Sequence, residues 1–135
     1  MTRPTPKEVP WDRGFWANSA QGIMSAQRCL DCGRLQYYPK PVCSRCLSRN
    51  MVFEPLSGKG TVYSFTTVRR PENPDFVDEA PYTFLDVQLE EGIRLVSRLA
   101  DERDAEGLAI GDALEVVMKP VGDGSKYLPF FTKSR

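Results

Sequence analysis

The chain has 135 residues, enough for one ordinary domain or two small ones. Its 18 Lys/Arg balance 18 Asp/Glu, and the absence of histidine excludes Ser-His-Asp and Cys-His catalysis, His-ligated catalytic metals and imidazole acid/base chemistry. No run approaches the ~20 apolar residues of a membrane span, and the opening MTRPTPKE reads as neither a secretory signal nor a transit peptide.

The opening ten residues are Pro-rich and predict a loose arm or a segment ordered only on a partner. From Trp11 to Ile23 the apolar residues Trp11, Phe15, Trp16 and Ala20 fall at helical spacing, with Asp12 placed for the N-terminal turn. A short amphipathic helix ending near Gly22 is expected. The aromatics either dock on the protein's own β-domain, the plainer reading, or line a ligand channel or partner groove.

A short extended segment, Ile23 to Gln27, leads into the stretch that organises the chain. Residues 29–46 read CLDCGRLQYYPKPVCSRC and hold all four cysteines as two Cys-x-x-Cys pairs ten residues apart. Two residues between ligands let a tight turn wrap one cation, and two such turns face to face complete a tetrahedral site. The ten-residue gap is long enough to run out as a strand and return, which is the plan of a zinc ribbon. Gly33 suits the positive φ needed where amides fold toward sulfur, and Pro39 and Pro41 stiffen the return. Cys29, Cys32, Cys43 and Cys46 are therefore expected to hold one structural zinc per chain, closed to water and not catalytic. Two disulfides, a redox Cys-x-x-Cys or iron on four thiolates are the alternatives. Free thiols used for metal suit the cytoplasm.

After Cys46, LSRN reads as a turn and MVFEPL as a returning strand, followed by a turn and module boundary at Ser57-Gly58-Lys59-Gly60. Beyond it the pattern is that of strands. Thr61 to Val68 alternates Val62, Ser64, Thr66 and Val68 with Tyr63, Phe65 and Thr67. A long loop punctuated by Pro71, Pro74 and Pro81 precedes the strand Tyr82 to Leu89. Glu91-Gly92 turns into Ile93 to Leu99. Asp101 to Gly107 is a loop or short helical turn, and the last strands are Ala113 to Pro120 and Tyr127 to Thr132. The expected class is mainly β: an N-terminal arm and helix (1–28), a four-cysteine zinc ribbon (29–56) and a five-stranded Greek-key barrel of the OB type (57–135).

No catalytic set stands out. Glu90-Glu91 and Asp101-Glu102 lie at turns where charge is solvated, and Ser64, Thr66 and Thr67 lack a partner base. A binding or accessory role is favoured over an enzyme. Residues 1–50 carry eight Lys/Arg and three Asp/Glu, whereas residues 51–135 carry ten and fifteen. The acidic barrel argues against the rival reading, a single-stranded nucleic-acid-binding protein, because a phosphate backbone needs a basic groove; Tyr63, Phe65, Phe84, Phe130 and Phe131 could stack bases, but alternation puts most of them in a barrel core. Arg28, Arg34, Lys40, Arg45 and Arg49, with Arg69 and Arg70 at the exit of the first barrel strand, suit phosphates such as those of coenzyme A. For any one of them a solvated face is the plainer reading.

The helix FW, the run GIMSAQRCLDCGRLQYYPKPVCSRC and the strand opening GKGTVYSFTTV resemble the DUF35 family from about Trp11 onward. The resemblance implies an N-terminal helix, a rubredoxin-like zinc ribbon and an OB-fold. It also implies a non-catalytic accessory protein of acyl-CoA metabolism, paired with a thiolase-like enzyme, an aldolase of that fold or a MaoC-like hydratase. In such pairs the active site belongs to the partner and the DUF35 chain helps shape the CoA channel. On that basis Phe15 and Trp16 are expected to border the acyl or pantetheine path, and Arg69 and Arg70 to lie toward CoA phosphates or a partner's acidic patch. Neither a membrane nor nucleic acid is expected as a partner.

Overall fold

The computed structural model describes residues 5–134, so the first four residues of the expected arm lie outside the described residues. Two antiparallel sheets follow a short helix. A 3-10 turn, Pro10–Asp12, runs into the helix α1, Arg13–Ser19, with Asp12 accepting a hydrogen bond from the Val9 amide at 2.8 Å. The helix ends three residues earlier than its apolar spacing suggests, because Gly22 takes a φ of 82° and turns the chain toward the first strand. Gly14 lets α1 lie close on the following sheet, since a Cβ there would run into the Phe53 ring. Residues 5–10 are also less loose than their proline content predicts. Thr5 accepts from the Asp123 amide at 2.9 Å, and Glu8 sits 3.7 Å from Arg13 and 3.8 Å from Lys126.

The ribbon sheet has the order β2-β1-β3, with β1 Ser25–Cys29, β2 Leu35–Gln36 and β3 Met51–Pro55. The gap between the cysteine pairs thus runs out as a strand of only two residues and does not return as one. Two buried amides replace the missing rungs. Gln27 and Lys40 exchange two hydrogen bonds of 2.9 and 3.0 Å, Gln36 donates to Gln27 at 2.8 Å, and the Ser44 amide donates to Gln36 at 3.0 Å. Buried polar groups paired in this way hold an irregular loop where no ladder exists.

The second sheet runs β6-β5-β4-β7-β8, with β4 Lys59–Val68, β5 Tyr82–Leu89, β6 Arg94–Arg98, β7 Ala113–Val121 and β8 Lys126–Lys133. It curls until the chain after β6 meets β8: Leu99 bridges Phe131 in parallel, the Ala100 amide donates to Phe131 at 2.8 Å, and Ser97 donates to Pro129 at 2.7 Å. The result is a nearly closed five-stranded barrel of the expected topology. Along β5 the period of two is kept, with Thr83, Leu85, Val87 and Leu89 inward and Tyr82, Phe84, Asp86 and Gln88 outward. Leu85 and Val87 meet Val62, Leu95, Leu114 and Phe131 in the core. Met24, from the segment before β1, is buried in the same core, and Tyr37 and Leu56 pack on it.

The alternation expected for β4 fails beyond Val62. A β-bulge puts Tyr63 out of register between Val62 and Ser64, and the strand then leaves the barrel. Tyr63, Phe65 and Phe84 are 48%, 40% and 37% exposed, so of the five aromatics that alternation was expected to place mostly in the barrel core only Phe130 and Phe131 are buried. The loop between β4 and β5 contains a 3-10 helix, Pro74–Glu79, that its three prolines do not announce.

Candidate metal centre

The four cysteine sulfurs lie within 4.8 Å of one another. Cys29 and Cys46 approach at 3.5 Å and Cys32 and Cys43 at 3.6 Å, far longer than a disulfide. A tetrahedral zinc with sulfurs ~2.3 Å away sets sulfur pairs about 3.8 Å apart, so the cage fits such an ion.

The two Cys-x-x-Cys turns are built alike. In the first, the Gly33 amide donates to Cys29 O at 2.9 Å and the Cys29 amide to Arg34 O at 2.9 Å; in the second, Leu47 donates to Cys43 O at 2.9 Å and Cys43 to Ser48 O at 2.8 Å. Amides of Cys32 and Arg45 point at the sulfurs of Cys29 and Cys43, each at 3.4 Å. Both turns need positive φ after their second cysteine, 79° at Gly33 and 64° at Leu47. The second turn therefore carries a branched side chain in a conformation that favours glycine, and that side chain is 72% exposed. Arg45 ties the turns together by donating to Cys32 O at 2.8 Å.

The same amides set the thiol chemistry. Hydrogen bonds from the backbone of Cys46 and Arg45 lower the Cys43 thiol to about 6, and the Cys32 amide lowers Cys29. At Cys46 the Ser48 amide also acts to lower the thiol, but burial and hydrogen bonds with Cys29, Cys32 and Cys43 push it up to about 12. Four sulfurs this close do not all ionise by themselves; a divalent cation between them removes the conflict.

The aromatic and basic candidates are placed elsewhere. Phe15 is 4% exposed and meets Trp16 and Tyr37 edge to face at 5.0 and 5.8 Å, so it faces into the protein, as the docking reading has it. Trp16 is partly buried, with Lys126 5.9 Å above its ring. Arg69 and Arg70 are exposed just past β4 and form no ion pair among the described residues. No hydrogen bond, ion pair or ring contact joins these two pairs. Arg28, by contrast, is held by Glu54 at 2.7 Å and donates to Gly33 O at 2.8 Å, which makes it a brace of the ribbon. An apolar hollow of about 340 Å³ opens between the ribbon loop and the outer face of β5 and β6, lined among others by Tyr37, Tyr38, Phe76, Tyr82 and Phe84 with Arg98 beside them. Tyr38 reaches across it to accept the Val96 amide at 3.0 Å. With Leu85 and Val87 buried, the period of two on β5 turns Tyr82 and Phe84 outward, and the tyrosines arriving from the ribbon have no local sequence signal.

Models of the ChsH2 rubredoxin-like zinc ribbon domain and the ChsH2 C-terminal OB-fold domain match residues 20–52 and 53–119. A DUF35 domain-containing scaffold protein of Methanothermobacter thermautotrophicus is 33% identical over 99 residues, 73% of each chain. The benzoylsuccinyl-CoA thiolase subunit BbsA of Geobacter metallireducens is 27% identical over 133 residues, 96% of this chain and 80% of that one. A probable enoyl-CoA hydratase alpha subunit of Thermomonospora curvata is 36% identical over 122 residues; these are 90% of this chain but only 35% of the longer relative. Among solved structures, a chain of the Ltp2-ChsH2(DUF35) aldolase superposes with a TM-score of 0.80 at 29% identity, covering 96% of this chain and 98% of that one. With both of its modules matched in order and the cysteine cage intact within the first, this chain belongs to the DUF35 family.

Proposed function

We propose that this chain is a non-catalytic scaffold subunit of an acyl-CoA-processing enzyme, docking a thiolase-like enzyme, an aldolase or a MaoC-like hydratase and helping to form its CoA and acyl channel. The observation that carries the reading is the likeness, over 96% of the chain, to a chain of the Ltp2-ChsH2(DUF35) aldolase. The residues agree with it: a histidine-free chain lacks the usual acid/base equipment, while exposed aromatics and an apolar hollow offer contact surface.

Cys29, Cys32, Cys43 and Cys46 hold one zinc per chain in this reading, and the ion supplies rigidity to the two turns, not chemistry. Four unpaired cysteines suit the cytoplasm. Trp16 keeps a partly exposed edge, and Arg69 and Arg70 are exposed cations able to meet a ligand or a partner; Phe15 supports Trp16 from inside.

The test is co-purification from the native host followed by mass spectrometry and metal analysis. Enrichment of an acyl-CoA enzyme, one zinc per chain and no turnover of acyl-CoA by the pure chain are expected. Robust turnover by the isolated chain, or enrichment of nucleic acid in place of an enzyme, would overturn the reading.

A further inference from the structure

The bulge at Tyr63 has opened one side of β4. Toward β7 the strand pairs only from Lys59 to Thr61, and the last rungs join Val62 to Asp112 at 3.0 Å and to Gly111 at 2.8 Å. Toward β5 it stays paired to its end, Ser64 opposite Asp86, Thr66 opposite Phe84 and Val68 opposite Tyr82. On β5, Thr83 O accepts from Leu99 and the Leu89 amide donates to Ile93, so the odd-numbered residues of that strand bond away from β4. The even-numbered ones bond toward it. Ser64, Thr66 and Val68 therefore spend their backbone groups on β5, while the N–H and C=O of Phe65 and Thr67 point to the open side. No hydrogen bond satisfies them among the described residues.

Beyond the bulge at Tyr63, this edge lacks the charges and prolines that keep sheet edges from pairing. From Thr61 to Val68 the sequence TVYSFTTV has no charge, proline or glycine, and it is rich in β-branched and aromatic residues. Every residue from Tyr63 to Thr67 is exposed. Charge appears only at the ends, Lys59 on one side and Arg69-Arg70, without an ion pair among the described residues, on the other.

We infer that the open edge of β4, at Phe65 and Thr67, receives an extended segment of a partner protein as an added antiparallel strand, with carboxylates at the segment's N-terminal end meeting Arg69 and Arg70. Main-chain bonds supply the attachment and the guanidinium pair sets direction and register. A second copy of this chain fits poorly. Two-fold pairing centred on Thr66 would bring the copy's Arg70 alongside Val62, where Gly111 and Asp112 already occupy the edge. It would also bring together two barrels, each in the half that carries fifteen Asp/Glu against ten Lys/Arg. The partner's class rests on the scaffold reading; the edge does not.

The experiment uses the full chain, isotope-labelled for NMR, and a short synthetic peptide of alternating Thr and Val with two Glu at its N-terminus. Its counterpart with two Lys there is the control. Expected are saturable shifts centred on Phe65 and Thr67 with slowed exchange of both amides, and about tenfold weaker binding of the Lys peptide. Arg69→Glu with Arg70→Glu should reverse that preference. Thr67→Pro should abolish binding while the β4–β5 cross-strand signals persist, since the lost N–H serves only the open side. Shifts confined to another surface, no saturable change at millimolar peptide, or sedimentation as a dimer that Thr67→Pro dissolves would each overturn the inference. None of these outcomes bears on which enzyme co-purifies, so the scaffold reading stands or falls separately.

Discussion

The ribbon and the barrel solve the same problem, holding β-strands together in a small chain, by opposite means. The barrel buries Leu85, Val87, Leu95, Leu114 and Phe131 at 0–3% exposure and needs little else. The ribbon has almost no apolar interior of its own; four sulfurs, two buried glutamines and a set of turn hydrogen bonds hold it. A small module can thus be specified by directional bonds where a core is too small to form, at the cost of depending on every one of them.

Removing the metal tests that contrast most severely. Cys43→Ser, or stripping by a strong chelator, should unfold the ribbon, with a loss on the order of 10 kcal/mol of metal-linked folding energy. Because Met24 and Tyr37 pack into or against the barrel core, barrel amides near Val62 and Phe131 should lose hydrogen-exchange protection too. Intact protection there would show that the regions are independent. Leu85→Ala probes the other side: about 2–5 kcal/mol lost in denaturant unfolding, with zinc content unchanged. Gln36→Ala removes a brace from beneath Ser44 and Gln27 and should cost about 1–3 kcal/mol, seen as faster zinc release to a chromophoric chelator. The smallest effect is a gain. Leu47→Gly relieves the positive φ of the second turn without losing buried surface, and should stabilise the holo protein by about 0.5–1 kcal/mol in thermal unfolding.

Cysteine spacing announced the ribbon because ligand geometry is local: two intervening residues make a turn whatever surrounds it. Alternation announced β5 for a similar reason, since one face is buried along its whole length. β4 misled because its alternation continues on paper to Val68, yet an extra residue at Tyr63 breaks it and pairing with β7 ends at Thr61, so Phe65 stands exposed beyond the barrel although it lies opposite the inward Leu85. The glutamines escaped notice for another reason. Gln27 and Gln36 look like ordinary strand polars, and only their opposition across β1 and β2 makes them a brace for residues 40–44. The arm's docking depends on Gly122, where a Cβ would strike Thr5, a meeting between residues at opposite ends of the chain. Arg69 and Arg70 were singled out by charge and by their place at the exit of β4; Arg28 is held by Glu54 and Arg45 by Cys32 O, whereas Arg69 and Arg70 make no ion pair among the described residues, which only three dimensions reveal.

Met24 lies ahead of the first cysteine and yet fills space among Val62, Leu85 and Phe131. A gene fragment beginning after the second Cys-x-x-Cys would encode all five barrel strands but leave a hole where that thioether belongs. Transplanting the barrel into a longer polypeptide therefore demands that the residues around Met24 travel with it, even though each module is recognisable by itself.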